Sequence, residues 1–184
     1  KRQVQRPASA VKELLENSID SQADEIILSF YSGGNKMFQV SDNGCGMDID
    51  DLNLCVKRHA TSKISTISDL ITINSLGFRG EALASIGSVS ELTIKSKFIE
   101  ASETFEISSR YGELKQIKPS QYLEGTLIEI KNLFKSIPAR LKFLKTDRAE
   151  GISILEVVKK LALSNPEISF KLYEIKAVSY THLT

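Results

Sequence analysis

The chain has 184 residues, of which 41% are hydrophobic and 26% charged, a composition typical of a soluble globular domain with its own apolar core. A net charge of +1 gives no bulk electrostatic case for nucleic-acid binding. The two cysteines, Cys45 and Cys55, exclude a disulfide framework or a four-cysteine metal site and fit a reducing cytoplasm. No apolar run reaches the length of a membrane span, and no signal-peptide pattern opens the chain.

The first third of the chain predicts a helix, a β-hairpin and a second helix. Pro7 suits a first helical turn, and apolar residues then recur at three- and four-residue spacing as far as Ile19. The segments "DEIILSFYS" and "KMFQVSD" are predicted strands joined by the turn-forming "GGN". We predict that "DIDDLNLCVKRHA" is helical, because acids lie near its start and cations near its end.

A long segment, "TSKISTISDLITINSLGFRG", has weak periodicity and predicts a functional loop with a short helix inside it. A short helix, "EALASIGSV", follows, and then four predicted strands, "ELTIKSK", "ETFEISS", "LKQIKPS" and "GTLIEIKNLF", with "RYGE" as a hairpin turn. The end of the chain predicts a long helix, "AEGISILEVVKKLALSN", and a last strand, "EISFKLYEI". This order predicts an α+β two-layer sandwich with helices on one face of a mixed, mostly antiparallel sheet.

Both ends of the chain are unusual for a natural domain. The chain begins without Met and enters a helix almost at once, so we expect one N-terminally truncated domain over residues 1–176. The final "AVSYTHLT", residues 177–184, is interpreted as a non-native tail, with a short β-prone segment as the alternative.

Glu13 and Asn17 share one face of the first predicted helix because they are four residues apart. A carboxylate there can orient and deprotonate a water molecule, and an asparagine oxygen is a hard, neutral ligand for Mg²⁺. The alternative is an ordinary polar helix face.

Asp42 ends a predicted strand and is followed by Gly44 and Gly46. A carboxylate in that place can accept a hydrogen bond from an exocyclic amine such as that of adenine, and the glycines allow close backbone approach to a flat ligand. The alternative is a turn built from Asp, Asn and Gly chemistry.

Three other segments carry polar groups that can contact phosphate or a nucleotide base. Gly77 and Gly80 flank Phe78 and Arg79 at the start of a predicted helix, where free N–H groups bind anions, although no Walker-type phosphate loop occurs in the chain. Thr61, Ser62 and Lys63 form a second phosphate-contacting set, with a cationic helix end as the alternative. Thr126 begins a strand and can bond a base-bound water, or can simply reflect β-propensity. The basic "KSIPARLKFLK" is interpreted as a solvated helix in preference to a phosphate-backbone contact, and Phe143 and Leu144 indicate that it packs.

The order of these motifs resembles the GHKL ATPases, which share the Bergerat nucleotide-binding fold. Within that superfamily the chain resembles the bacterial MutL family of DNA mismatch repair proteins from about Arg6 to about Tyr173. The segments that carry the resemblance are "RPASAVKELLENSID", "DNGCGM", "RHATSKI", "LGFRGEALASI" and "PARLKFLK".

The resemblance implies a role for each matching residue. Glu13 would be the general base, Asn17 the Mg²⁺ ligand and Asp42 the group that accepts from the adenine amine. Gly46 and Thr126 would also lie at the base. The phosphates would be contacted by a lid and a loop made of Thr61, Ser62, Lys63, Gly77, Phe78, Arg79, Gly80 and Glu81, with Ala82 and Leu83 continuing the helix.

The resemblance also implies a Mg²⁺-dependent ATPase that couples lid closure and homodimerisation to mismatch repair in the cytoplasm. Its expected partners are ATP, DNA (mainly through a second subdomain outside this chain) and a MutS-like mismatch-recognition protein. The chain departs from the family in carrying "KRQVQ" where an "AAGEV"-like run is usual, and it lacks the second-subdomain lysine that contacts the γ-phosphate. The alternatives are an ATP-binding module without turnover, and another GHKL ATPase or kinase.

Overall fold

A computed structural model describes residues 5–57 and 81–176. Its helices are α1 (Pro7–Asp20), α2 (Ile49–Cys55), α3 (Ala82–Gly87), α4 (Pro138–Leu141) and α5 (Asp147–Ser164), with a 3-10 turn at Ser32–Gly34. Its strands are β1 (Glu25–Tyr31), β2 (Met37–Asp42), β3 (Glu91–Lys97), β4 (Phe105–Arg110), β5 (Glu113–Leu114), β6 (Lys118–Pro119), β7 (Gly125–Lys131) and β8 (Ser169–Ile175). No helix in these two ranges is long and apolar enough to cross a membrane.

The strands form one sheet in the order β5-β4-β3-β7-β2-β1-β8, with β6 also paired to β4. Strand β8 runs parallel to β1, and the other pairs are antiparallel. Side chains along β1, β2, β3 and β7 alternate between buried and half-buried, as expected when helices cover only one face. The predicted two-layer sandwich with a mixed, mostly antiparallel sheet is therefore confirmed.

The core consists of apolar rows that run across the sheet beneath the helices. Because the strands are in register, side chains from five neighbouring strands line up, and one such row is Leu28, Val40, Ile128, Ile94 and Ile107. All five side chains are at most 5% exposed. Val11, Leu14 and Leu15 of α1 are fully buried in the same core, so the three- and four-residue spacing correctly identified the buried helix face.

A partly buried ion pair fixes the beginning of α1. Arg6 precedes the helix, with Pro7 at its first turn, and the Arg6 guanidinium donates to Glu150 Oε1 at 2.9 Å. Glu150 lies on α5 and is 1% exposed, and the same oxygen accepts from the backbone N–H of Lys145 at 2.9 Å. The start of α1 is thus held against the first turn of α5, which is capped by Thr146.

The predicted strand "LKQIKPS" is wrong as one element and is replaced by β5 and β6. Leu114 pairs with Ser109, whereas Lys118 pairs with Glu106. The edge segment therefore contains one more residue between these two pairs than β4 does. Such a bulge breaks an edge strand into two short pieces. The turn before it agrees with the prediction, because Tyr111 and Gly112 both have positive φ, as a two-residue hairpin turn requires.

Two predicted helices are shorter than the sequence indicated. Helix α2 starts as expected, with the Asp48 side chain accepting from Asp51 N at 2.8 Å, but it ends at Cys55. The basic segment forms only the four-residue α4, and Phe143 is 87% exposed instead of packed. The long predicted loop at 61–80 and the tail at 177–184 lie outside the described residues.

Candidate functional site

A row of polar side chains crosses the sheet at one end of the apolar core. Asp42 of β2 pairs with Thr126 of β7, and Thr126 pairs with Ser96 of β3. The three residues are 7%, 7% and 0% exposed, respectively, and they face the helices like the apolar rows beside them. Polar groups are rarely buried without a bonding or binding role, so this row marks a candidate site.

The Asp42 carboxylate lies at the floor of a pocket between α1 and the sheet. Its Oδ2 accepts from Ser18 Oγ at 2.6 Å, and its Oδ1 accepts from the backbone N–H of Gly44 at 2.9 Å. Burial raises the pKa of Asp42 above its ordinary value of 3.8, and the bonds from Ser18 and Gly44 oppose that rise. Hydrogen bonds from the Ser21 side chain and the Thr126 backbone also oppose the rise, so several protein donors hold the carboxylate in place.

The turn after Asp42 is pressed against the end of β3. Gly46 has φ +69°, and a side-chain carbon there would lie 1.8 Å from the carbonyl oxygen of Lys97. Only glycine therefore fits this turn without displacing β3. Asn43 fixes the other side, because its side-chain oxygen accepts from the backbone N–H groups of Asp24 and Glu25 at 3.1 and 3.0 Å.

Asn17 lines the same pocket and has an unpaired side-chain acceptor. Its Oδ1 is buried and has no hydrogen-bond partner among the described residues. A buried acceptor without a partner costs free energy that a bound cation, water or ligand donor would recover. No group of three or more His, Cys, Asp or Glu side chains in residues 5–57 and 81–176 can hold a metal ion. A metal held mainly by Asn17 would thus need oxygen ligands from a bound molecule and water, which is how Mg²⁺ is usually bound beside phosphates.

The pocket itself has a volume of about 30 Å³, and together with the solvent-open space around it the empty volume is about 400 Å³. Of the predicted residues, the structure brings together Asn17, Asp42, Gly46, Leu83 and Thr126. Lining residues that the sequence reasoning missed are Ser18, Ser21, Cys45, Met47 and Ile128. Ser18 could have been identified from the sequence, because it is a polar residue at a core position of an amphipathic helix, where an apolar residue is expected.

The other predicted site residues do not line this pocket or are not described. Glu13 is half-buried one turn before Asn17 on α1 and is outside the lining. Glu81 and Ala82 are half-buried at the start of α3, the helix that carries the 2%-exposed Leu83. The remaining predicted residues lie outside the described ranges: Thr61, Ser62, Lys63, Gly77, Phe78, Arg79 and Gly80.

The pocket combines apolar walls with a few polar groups in fixed positions. Met47, Leu83 and Ile128 supply the apolar surface, and the Asp42 carboxylate supplies an acceptor at the floor. This combination fits a flat, largely apolar ring that carries an amine, because the ring is removed from water while the amine remains hydrogen-bonded.

Comparison with known proteins gives a consistent family. A family model described as histidine kinase-, DNA gyrase B- and HSP90-like ATPase matches residues 5–139. The DNA mismatch repair protein MutL of Allorhizobium ampelinum is 48% identical over 169 residues, covering 92% of this chain and 27% of that protein. MutL of Azorhizobium caulinodans is 50% identical over the same length and with the same coverage. The chain therefore spans about a quarter of the length of these curated relatives.

Solved structures of the same kind share the fold. The Aquifex aeolicus MutL ATPase domain complexed with ADP has a TM-score of 0.75 and 31% identity, over 93% of this chain and 60% of that chain. The N-terminal domain of a DNA repair protein has a TM-score of 0.77 and 30% identity, over 94% of this chain and 50% of that chain.

Proposed function

The chain belongs to the family of histidine kinase-, DNA gyrase B- and HSP90-like ATPases, as an ATPase domain of the MutL type, and we propose that it binds ATP beside Asp42 and hydrolyses it with Mg²⁺. The observation that carries the proposal is a buried carboxylate at the floor of an apolar pocket that is also lined by Asn17, whose side-chain oxygen has no partner among the described residues. The ADP bound in the similar Aquifex domain supports a nucleotide as the ligand.

Adenine is the part of ATP that suits the described pocket. Its ring would lie against Met47, Leu83 and Ile128, and its exocyclic amine would donate to Asp42. Ser18 and Gly44 would hold the carboxylate in place for that bond, since each already donates to one of its oxygens. Gly46 and Thr126 would complete the base-binding end.

The phosphates would extend from the base towards α1 and the start of α3. Asn17 would hold Mg²⁺ through Oδ1, and the bound ion would offset the negative charge of the phosphates. Glu13, one turn away on α1, would orient and deprotonate the attacking water. Glu81, Ala82 and the residues outside the described ranges, Thr61, Ser62, Lys63 and Gly77–Gly80, would contact the phosphates.

For the whole protein, we propose a cytoplasmic mismatch repair factor that dimerises and closes on ATP. Its partners would be DNA and a MutS-like mismatch-recognition protein, in keeping with the DNA mismatch repair proteins that it resembles. The second candidate is a module that binds ATP without turnover. It is favoured by the position of Glu13 outside the pocket lining.

The test is Glu13→Gln, measured by nucleotide titration and by ATP turnover. We expect the dissociation constant for ATP to change less than about three-fold while turnover falls at least about 100-fold, the usual contribution of a general base. Glu16→Gln is the matched control, because Glu16 lies on the same helix within 4.0 Å of Lys12 and outside the pocket lining. ATP binding without turnover in the unmodified protein would establish the second candidate, and absence of binding would overturn both.

A further inference from the structure

We propose that the protein associates head to tail with a second copy of itself, with Phe143 and the nearby Lys142 and Lys145 docked in an acidic groove at the opposite end of the next molecule. The contact involves no nucleotide, so the inference goes beyond the proposed ATPase function. It is also distinct from the ATP-driven dimerisation proposed for the whole protein.

The acidic groove lies between the start of α2 and the connection from β3 to β4, and it has a volume of about 270 Å³. Its lining combines buried or half-buried apolar side chains with exposed carboxylates: Met47, Phe98 and Phe105, and Asp48, Asp50 and Glu103. No cation of the described residues lines it. Such a groove fits a large apolar side chain that has cations beside it, because the ring leaves water while the opposite charges meet.

Negative charge accumulates at this groove. Burial and the charges of Asp48 and Asp50 raise the pKa of the adjacent Asp51 to about 6, so these carboxylates repel one another. Glu103 adds a fourth carboxylate from a different segment, which capping of α2 does not explain. No ion pair among residues 5–57 and 81–176 includes Asp48, Asp50 or Glu103. A cation brought to this place would therefore relieve the repulsion.

The basic segment, residues 135–145, presents the complementary surface on the same chain. It contains four cations and no acid. Phe143 is 87% exposed, and Lys142 and Lys145 beside it are exposed as well. Leu144 packs against the core, and the backbone N–H of Phe143 donates to Arg140 O at 3.1 Å. Phe143 is thus presented on an ordered backbone, and docking would remove its ring from water without first ordering the segment.

The acidic groove and Phe143 lie at opposite ends of β2. Met47 of the groove donates its backbone N–H to Ser96, which belongs to the polar row at the end of β2. At the other end, Lys145 N–H donates to Glu150, and a side-chain carbon on Gly33 in the β1–β2 turn would lie 2.9 Å from Glu150 Cβ. The six residues of β2 span about 20 Å. Phe143 therefore does not reach the groove of its own molecule, and the contact must join two copies.

A contact of this kind has a predictable assembly. The two surfaces differ, so each docked pair keeps one free groove and one free Phe143, and further copies can add as an open chain or a ring. A contact centred on one aromatic side chain buries little surface. We therefore expect weak, reversible association, with a dissociation constant on the order of 0.1 mM.

Sedimentation equilibrium of the 184-residue protein without nucleotide, from about 10 μM to about 1 mM, tests the inference. Association should increase with concentration and weaken at high salt, because the charges at the contact are partly exposed. Phe143→Ala and Asp50→Lys should each weaken it at least about ten-fold. The matched controls are Leu163→Ala, at a side chain that is 83% exposed, and Glu167→Lys, at an exposed acid, since both lie outside the two surfaces. Neither control should change the association.

Mixing the two variants tests the head-to-tail direction. The Asp50→Lys protein keeps Phe143, and the Phe143→Ala protein keeps the acidic groove. The mixture should therefore form a one-to-one complex with about the dissociation constant of the unmodified contact, and assembly should stop at two molecules. If Asp50→Lys does not fold, Glu103→Lys replaces it, because Glu103 is exposed and lies outside the helices and strands.

Three results would overturn the inference. The first is an unmodified protein that stays monomeric up to about 1 mM, ten times the expected dissociation constant. The second is association that neither Phe143→Ala nor Asp50→Lys weakens. The third is a mixture of the two variants that associates no more tightly than each variant alone, as a contact between identical surfaces would. None of these results bears on nucleotide binding, so the proposed function would stand or fall separately.

Discussion

Replacing Asp42 with asparagine removes a buried charge without changing the shape of the side chain. Gly44 N–H lies 2.9 Å from Oδ1, so the asparagine oxygen must take that position, because two donors facing each other would be unfavourable. The amide nitrogen then faces Ser18 Oγ, which is 2.6 Å from Oδ2 in the unmodified protein. In the proposed complex, the pocket would therefore lose an acceptor and gain a donor that faces the adenine amine.

The expected effect on binding follows from the strength of the lost hydrogen bond. Hydrogen bonds to charged groups are worth about 1.5–3 kcal/mol, so Asp42→Asn should weaken ADP binding about 10- to 150-fold.

The expected effect on folding has the opposite sign. Burial raises the folded-state pKa of Asp42 above 3.8, so protonated Asp42 stabilises the fold below pH 3.8, and this contribution is lost as pH rises through the raised pKa. At pH 7 the unmodified protein bears the cost of a buried charge, and asparagine does not. The variant should therefore be at least as stable as the unmodified protein at pH 7, and its relative stability should fall as the pH approaches 3.8.

Calorimetric titration with ADP and urea denaturation at pH 7 and pH 4 measure both effects on the same samples. Ser90→Ala serves as a control for a buried polar substitution away from the pocket, because Ser90 is 0% exposed and its hydroxyl donates to Ile86 O. A variant that loses stability at pH 7 in proportion to its loss of binding would refute the reasoning, since Asp42 would then be a structural residue.

Three further predictions concern α1, the turn after Asp42 and the start of α2. Asn17→Ala should weaken Mg²⁺-dependent ATP binding about ten-fold more than Mg²⁺-free binding; equal losses would indicate a packing role. Gly46→Ala should destabilise the protein by about 2 kcal/mol or more in urea denaturation, because positive φ and the close Lys97 carbonyl both oppose a side chain. Gly112→Ala is the control: Gly112 has φ +93°, but a side-chain carbon there would lie 3.9 Å from its nearest neighbour, so the variant should lose only the stability that the backbone conformation costs. An equal loss of stability in the two variants would contradict the close-contact argument. Burial and the neighbouring charges of Asp48 and Asp50 raise the pKa of Asp51 to about 6. Protonated Asp51 therefore stabilises the fold fully below pH 3.8, and this stabilisation is lost as the pH rises through about 6. Because Asp51 is half-exposed, Asp51→Asn should raise the melting temperature at pH 7 by only about 2–4 °C, and the gain should disappear near pH 4.

The elements with strong periodicity were predictable from the sequence. Helix α1 and the β1–β2 hairpin follow from residue spacing and turn chemistry within short segments. The division of the predicted strand "LKQIKPS" into β5 and β6 was not predictable, because the bulge depends on pairing with β4. The exposure of Phe143 was also missed, since an apolar residue beside a short helix gives no indication of what covers it.

Part of the pocket lining was predictable for the same reason. Asn17 and Asp42 each lie in a segment with a recognisable local pattern, and Thr126 begins a clear strand. Ser96 had no local signal in the sequence, because its place in the polar row comes from the register that sets it beside Thr126. Strand register between segments distant in the chain is set by the packed core, which a single sequence does not reveal.

The polar row has a consequence for the order of folding. Ser18 and Asp42 are 24 residues apart in the chain, Ser96 and Thr126 are 30 apart, and Met47 and Ser96 are 49 apart. Contacts between distant segments form slowly, because loops must close before the contacts stabilise them. A chain emerging from the ribosome would thus lack the complete polar row until β7 has been synthesised. Nucleotide would then stabilise only the completed domain, by mass action, and would not favour partly made chains.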